Sequence, residues 1–135
     1  MKKVLTAIAA AVMGVTMFGG NAQAVDVTPF SATNCTGNAG STDGSGSVCI
    51  TVNGTGLKVD SFYLSKQSNN RAWTDYAHID FTDGSGGFMS QTVSAARVEK
   101  KTVGTTWGLS AADGSKICGY WHNYPGTKAC ATIHK

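Results

Sequence analysis

The chain has 135 residues, eleven basic and eight acidic side chains, a formal net charge of +3 and 41% hydrophobic residues. Without Lys2 and Lys3, which belong to the leader described next, nine basic groups face eight acidic ones and the balance is nearly neutral. That excludes a nucleic-acid or anionic-membrane surface, which needs clustered Lys and Arg. Arg97-Val98-Glu99-Lys100-Lys101 is the one charged cluster, and it reads as a solvated strand end or loop.

In chain order, Lys2 and Lys3 give a positive start, Val4 to Phe18 an apolar run, and Ala22-Gln23-Ala24 the small residues of a cleavage site. Residues 1–24 therefore read as a secretory signal peptide. The run is shorter than the roughly 20 apolar residues of a spanning helix, so no membrane contact is expected after cleavage. Val25 to Lys135 is then 111 residues, one domain by length. Within it, residues 25–34 form an N-terminal strand or arm, and 35–135 a single disulfide-stabilised β domain. Val25-Asp26-Val27-Thr28-Pro29-Phe30 alternates like a strand but contains proline. It is either an edge strand or an extended arm suited to strand addition on another protein, with Val25, Val27 and Phe30 as contacts.

Four cysteines, Cys35, Cys49, Cys118 and Cys130, in an exported chain imply two disulfides. Gaps of 13, 68 and 11 residues lack the close pairs zinc requires. Three connectivities are possible. Local pairing, Cys35–Cys49 and Cys118–Cys130, is favoured by the loop and the hairpin that each pair would close.

Short alternating runs separated by turn residues predict about seven strands and no persuasive helix, Ser94 to Lys101 being the best helical candidate at two turns. Val48, Ile50 and Val52 alternate with Cys49 and Thr51, and Asn53-Gly54 then signals a hairpin. Leu57 to Leu64 returns, with a bulge near Asp60-Ser61. Trp73 to Phe81 places Ala77, Ile79 and Phe81 on one side and Tyr76, His78 and Asp80 on the other. Phe88 to Val93, Thr102 to Leu109, Lys116 to His122 and Ala129 to His134 complete the set. The fold class is all-β, a small β-sandwich of immunoglobulin-like size, with a small barrel as the alternative.

The last hairpin is expected to turn at Tyr124-Pro125-Gly126-Thr127. Ile117, Trp121, Ala129, Ala131 and Ile133 would face the core, and Cys118, Tyr120, His122, Cys130 and Thr132 would share the outer face. Each disulfide loop would stabilise the domain by about 3 kcal/mol.

Catalytic readings do not hold together. Asp83-Gly84-Ser85-Gly86-Gly87 resembles the nucleophile segment of trypsin-like proteases with two letters exchanged. Asp-Gly-Ser recurs, however, at Asp43-Gly44-Ser45 and Asp113-Gly114-Ser115, as turns do. No spare acid is placed to orient His78 as a base. His122 and His134 would lie about 26 Å apart along the hairpin, so they cannot share a metal. Calcium lacks its dense ligand series, and each histidine reads as isolated and exposed. No cofactor or metal is implied. Trp73, Trp107 and Trp121 read as core, whereas Tyr76, Tyr120 and Tyr124 fall on polar faces or a turn, where tyrosine serves binding.

Residues 46–57, with Ile117-Cys118-Gly119-Tyr120-Trp121 and Ala129-Cys130-Ala131-Thr132-Ile133-His134, resemble small secreted proteins of Streptomyces and relatives. Some of these are similar to the adaptor subunit of umbrella toxin particles. The resemblance leaves residues 65–110 unmatched. It implies a non-enzymatic bridging role between a lectin subunit and a toxin-bearing stalk.

The expectation is therefore a secreted, extracellular, non-enzymatic interaction module, with another secreted protein as partner. Val25, Val27 and Phe30, or Tyr120, His122 and Tyr124, would make the contact. An inhibitor presenting Tyr124-Pro125-Gly126 to a secreted enzyme is the alternative.

Overall fold

The computed structural model describes residues 29–84 and 86–134. The signal-peptide reading and the contacts assigned to Val25 and Val27 lie outside these residues. Ten strands follow one another: β1 Pro29–Gly37, β2 Ser47–Thr55, β3 Lys58–Gln67, β4 Trp73–Asp75, β5 Ala77–Phe81, β6 Gly87–Met89, β7 Val93–Ala95, β8 Lys100–Ser110, β9 Lys116–Trp121 and β10 Tyr124–Thr132. They form two four-stranded sheets, β1-β2-β3-β8 (sheet I) and β10-β9-β5-β6 (sheet II), and a two-stranded ribbon β4-β7. Every pairing is antiparallel.

Period-two alternation builds the core. Val48, Ile50 and Val52 of β2 and Val59, Phe62 and Leu64 of β3 are buried. Facing them are Ala77, Ile79 and Phe81 of β5, Ile117 and Trp121 of β9, and Ala129 and Ala131 of β10, followed by Ile133. Gly119 lets the sheets close, because a Cβ there would meet Leu64 Cδ1 at 2.6 Å. Phe62 is a hub, edge-on to Phe81 and Phe88 at ring separations of 5.5 and 5.9 Å. Trp73 brings the ribbon in, edge-on to Trp121 at 4.9 Å. Trp107 is partly buried against the same core.

The disulfides are Cys35–Cys49 and Cys118–Cys130. Each joins two residues that are direct cross-strand partners, and each fastens an edge strand, β1 or β10, to its inner neighbour. The two edges also meet, since Asn34 Nδ2 donates to the Cys130 carbonyl at 2.7 Å.

Ten strands replace the expected seven because two runs break and Pro29–Gly37, in the segment expected as an edge strand or arm, forms β1. The Trp73–Phe81 run divides at Tyr76. Buried Asp75 draws in the Tyr76 and Asn123 amides at 2.8 and 3.1 Å, so the chain turns from the ribbon into sheet II. The Phe88–Val93 run divides likewise, since the Ser90 amide and hydroxyl take up Ala77 O and N at 2.9 and 2.8 Å. Ser94 to Lys101 is not helical. β7 ends at Ala95, the Ala96 amide donates to the Glu99 carboxylate at 2.8 Å, and Val98 takes a left-handed φ of 72° before β8 begins.

Both expected hairpin turns move. Asn53-Gly54 sits inside the ladder at a register shift, where a Cβ on Gly54 would overlap the Lys58 carbonyl oxygen. The turn is Gly56-Leu57, with Gly56 at φ +57°, the arrangement a two-residue hairpin with glycine first requires. The second turn is His122-Asn123, closed by Trp121 opposite Tyr124. Tertiary bonds place it there, from His122 N to Tyr76 O at 2.8 Å and from Asn123 N to Asp75. Pro125-Gly126-Thr127 then forms the irregular stretch before Ala129 pairs with Gly119. The bulge expected near Asp60 is present, as a shift between Val59 and Ser61 against β8.

Candidate functional site: a tyrosine–histidine platform

Sheet II has an outer face built by its own alternation. With Ala77 and Ile79 pointing inward, His78 points out, and with Ile117 and Trp121 inward, so does Tyr120. Register sets His78 directly opposite Tyr120. Their rings stack at 4.9 Å with planes 12° apart. Tyr76, at the break between β4 and β5, stacks on His122 of the turn at 4.4 Å and 18°. The two imidazoles then meet, His78 Nε2 lying 3.1 Å from His122 Nδ1.

Four rings thus form one continuous surface patch. Lys128 Nζ stands 5.2 Å from the Tyr120 ring centre on one flank. Met89, the register partner of His78, is 63% exposed on the other. The Cys118–Cys130 disulfide lies two residues along β9 and holds β9 to β10 beside the patch.

The isolated-histidine expectation is corrected for two of the three. His134 stands apart from the other two, its Nδ1 3.8 Å from the Asp113 carboxylate, while His78 and His122 are partners. The overlooked signal is a doubled triplet, Tyr76-Ala77-His78 and Tyr120-Trp121-His122. Read antiparallel, it sets each tyrosine against the other triplet's histidine.

The remaining candidate residues fall elsewhere. Phe30 belongs to β1, opposite Gly54, and packs partly buried against the core of its own domain. Tyr124 is half-buried and turned the other way. Its hydroxyl donates to the Asp43 carbonyl at 3.1 Å, and its ring lies 3.9 Å from Lys66 Nζ. Lys66 is fully buried among the described residues, without a hydrogen-bond partner for Nζ, and lies 4.9 Å from the Trp73 ring. Burial pushes its pKa down to about 8, against the pull of Asp75 and Asp43. Tyr120 and His122 are therefore together, and Tyr124 is a wall of a separate, closed cluster.

Among the described residues no group of three or more His, Cys, Asp and Glu could hold a metal ion. In the three Asp-Gly-Ser segments Gly44, Gly84 and Gly114 have φ of 85°, 79° and 83°, the left-handed turn geometry glycine permits. Asp83 accepts the Ala112 amide at 2.9 Å, a tie between loops. An open groove of about 520 Å³ runs between β8 and the β6–β7 connection, lined by Tyr63, Phe88, Val93 and Val103 among others. The outer face of sheet I carries a row Thr33, Thr51, Tyr63 and Gly104 in register. There the Thr33 and Thr51 hydroxyls bond each other at 2.8 Å.

No family model, curated protein or solved structure matches the chain. Two disulfides in a β-sandwich fit an extracellular protein.

Proposed function

We propose that this chain is an exported, non-enzymatic protein-interaction module whose contact surface is the platform of Tyr76, His78, Tyr120 and His122. The carrying observation is two face-to-face stacked tyrosine–histidine pairs side by side on a disulfide-fastened sheet, Tyr76, His78 and Tyr120 half-buried and His122 exposed. Rigid, partly exposed aromatic groups are the anchors of protein interfaces, since they bury much area at little entropic cost. Among the described residues neither imidazole is hydrogen-bonded to a carboxylate that would orient it as a base, which favours binding as the use of the site. On the family resemblance, the module is an adaptor bridging a lectin subunit and a toxin stalk in an extracellular complex.

A second reading, inhibition of a secreted enzyme, is favoured by the exposed Pro125-Gly126 segment beside the Cys118–Cys130 staple and anchored by Tyr124. Capture from culture medium with the intact secreted chain separates the two. An adaptor brings down a stable assembly of several subunits, and it loses them in the Tyr120→Ala, His122→Ala double variant. An inhibitor brings down one enzyme at equal stoichiometry, blocks its activity, and depends on Pro125 and Gly126 instead.

A further inference from the structure

We infer that His78 and His122 form a two-ligand site for a late first-row divalent ion, of the Cu(II), Ni(II) or Zn(II) class. This goes beyond the interaction reading and does not rest on it. Imidazole nitrogens bind such ions at about 2.0–2.1 Å. Two ligands at that distance, set at the angles of square or tetrahedral coordination, are themselves about 2.9–3.4 Å apart. His78 Nε2 and His122 Nδ1 are already 3.1 Å apart, the bite of one ion's edge.

The pair is also held. His78 lies against Tyr120 with planes 12° apart, and His122 against Tyr76 with planes 18° apart, so each ring is packed on one face before any ligand binds. Ring stacking supplies the packing, and the far N–H of each ring, which a metal-binding imidazole ordinarily donates to an acceptor, is left to water. In the hydrogen-bonded pair one facing nitrogen carries the proton and the other accepts it. Metal binding asks one ring to move that proton to its far nitrogen, leaving His78 Nδ1–H and His122 Nε2–H. No net charge changes on the protein, and a modest turn of the rings brings both lone pairs onto one ion.

Two protein ligands leave the other coordination positions to water. Met89, the cross-strand partner of His78 and 63% exposed, sets a thioether next to the pair. Copper(II) should bind most tightly of these ions, because two imidazole nitrogens follow the general order of divalent affinities, which peaks at copper. The doubled Tyr-x-His triplet thus accounts for both the stacking and the pair of ligands.

The test titrates the tag-free secreted chain, stripped with chelator, with copper, nickel and zinc chlorides by calorimetry in imidazole-free buffer. Copper is also followed by electron paramagnetic resonance. The inference expects one ion per chain, copper bound most tightly, and a spectrum split by two nitrogens. Affinity should fall at least about tenfold in His78→Ala and in His122→Ala, and stay within about twofold in His134→Ala, with all three variants melting as the parent does. Binding that is undetectable, that survives both single variants, or that is lost in His134→Ala overturns the inference. Should His122→Ala shift its melting curve, His122→Gln serves in its place.

Discussion

Two clusters in this molecule bring aromatic rings against nitrogen bases, and they differ in every other respect. At the platform, Tyr76, His78, Tyr120 and His122 stack on the outer face of sheet II, the first three half-buried and His122 exposed. In the other, the Lys66 ammonium is fully buried between Trp73 and Tyr124. The buried cluster has its ring faces occupied, and its base is strained toward neutrality by lost solvation. The open cluster retains surface for a partner. The contrast teaches that ring-and-base chemistry alone does not mark a site; what decides is whether the sheet turns it inward or outward. Changes in the closed cluster should move stability and leave binding intact, and changes in the open one should do the reverse.

The largest expected effect concerns the staple beside the open cluster. Replacing Cys118 and Cys130 by Ala should lower unfolding free energy by about 3 kcal/mol, read from denaturant midpoints. The Cys35 and Cys49 pair should cost a similar amount, since the loops enclosed are of similar length (separations of 12 and 14). Only the first loss should also weaken partner capture, because only that disulfide fastens β9, the strand that carries Tyr120. Equal effects of both on capture would dissolve the distinction.

Lys66→Met comes next. It removes a buried ammonium whose Nζ has no hydrogen-bond partner among the described residues, and it should raise stability by about 1–2 kcal/mol at pH 7, the lost cation–ring attraction being the smaller term. The parent chain should show the corresponding pH dependence. The folded state holds the Lys66 pKa at about 8, below the ordinary 10.5. Between those values the unfolded chain binds more protons, so stability rises with pH across that window and is flat below it for this group. The difference between parent and Lys66→Met, measured by urea unfolding at pH 7 and 9.5, should therefore shrink at the higher pH. A difference that grows would reverse the sign of the argument.

Tyr124→Phe removes the hydroxyl bond to Asp43 O and should cost about 1 kcal/mol of stability while capture is unchanged. The smallest effect is at the open cluster: His122→Ala, exposed in a turn, should change stability by no more than about 0.5 kcal/mol. A larger loss would make the platform a structural cluster like the other.

The sequence displayed the sandwich more clearly than the platform, for a physical reason. Alternation at Val48, Ile50 and Val52, and at Ile117, Trp121, Ala129 and Ala131, names the core faces directly, because strand period is local. The disulfides were legible because short loops close them. The Asn53-Gly54 and Pro125-Gly126 turns were misplaced because local turn preference lost to a bulge at Gly54 and to the bonds Asp75 and Tyr76 make to the His122-Asn123 turn. Alternation also put Tyr76 with His78 and Tyr120 with His122 on polar faces. That these are one surface depends on β5 lying beside β9, a pairing between segments some forty residues apart that no local pattern encodes. The segment around Phe30 read as either an edge strand or a free arm, and it is the edge strand β1; the sequence left the choice open because its neighbour β2 is not encoded locally.

The central claim is that the outer face of sheet II, not that of sheet I, meets the partner. Capture affinity for matched variants of the intact secreted chain tests it most directly: Tyr120→Ala with His122→Ala on one face, Thr51→Ala with Tyr63→Ala on the other. The account predicts at least a tenfold loss for the first pair and less than a twofold change for the second, with both folded. Unchanged capture in the first pair, or a matching loss in the second, would contradict it.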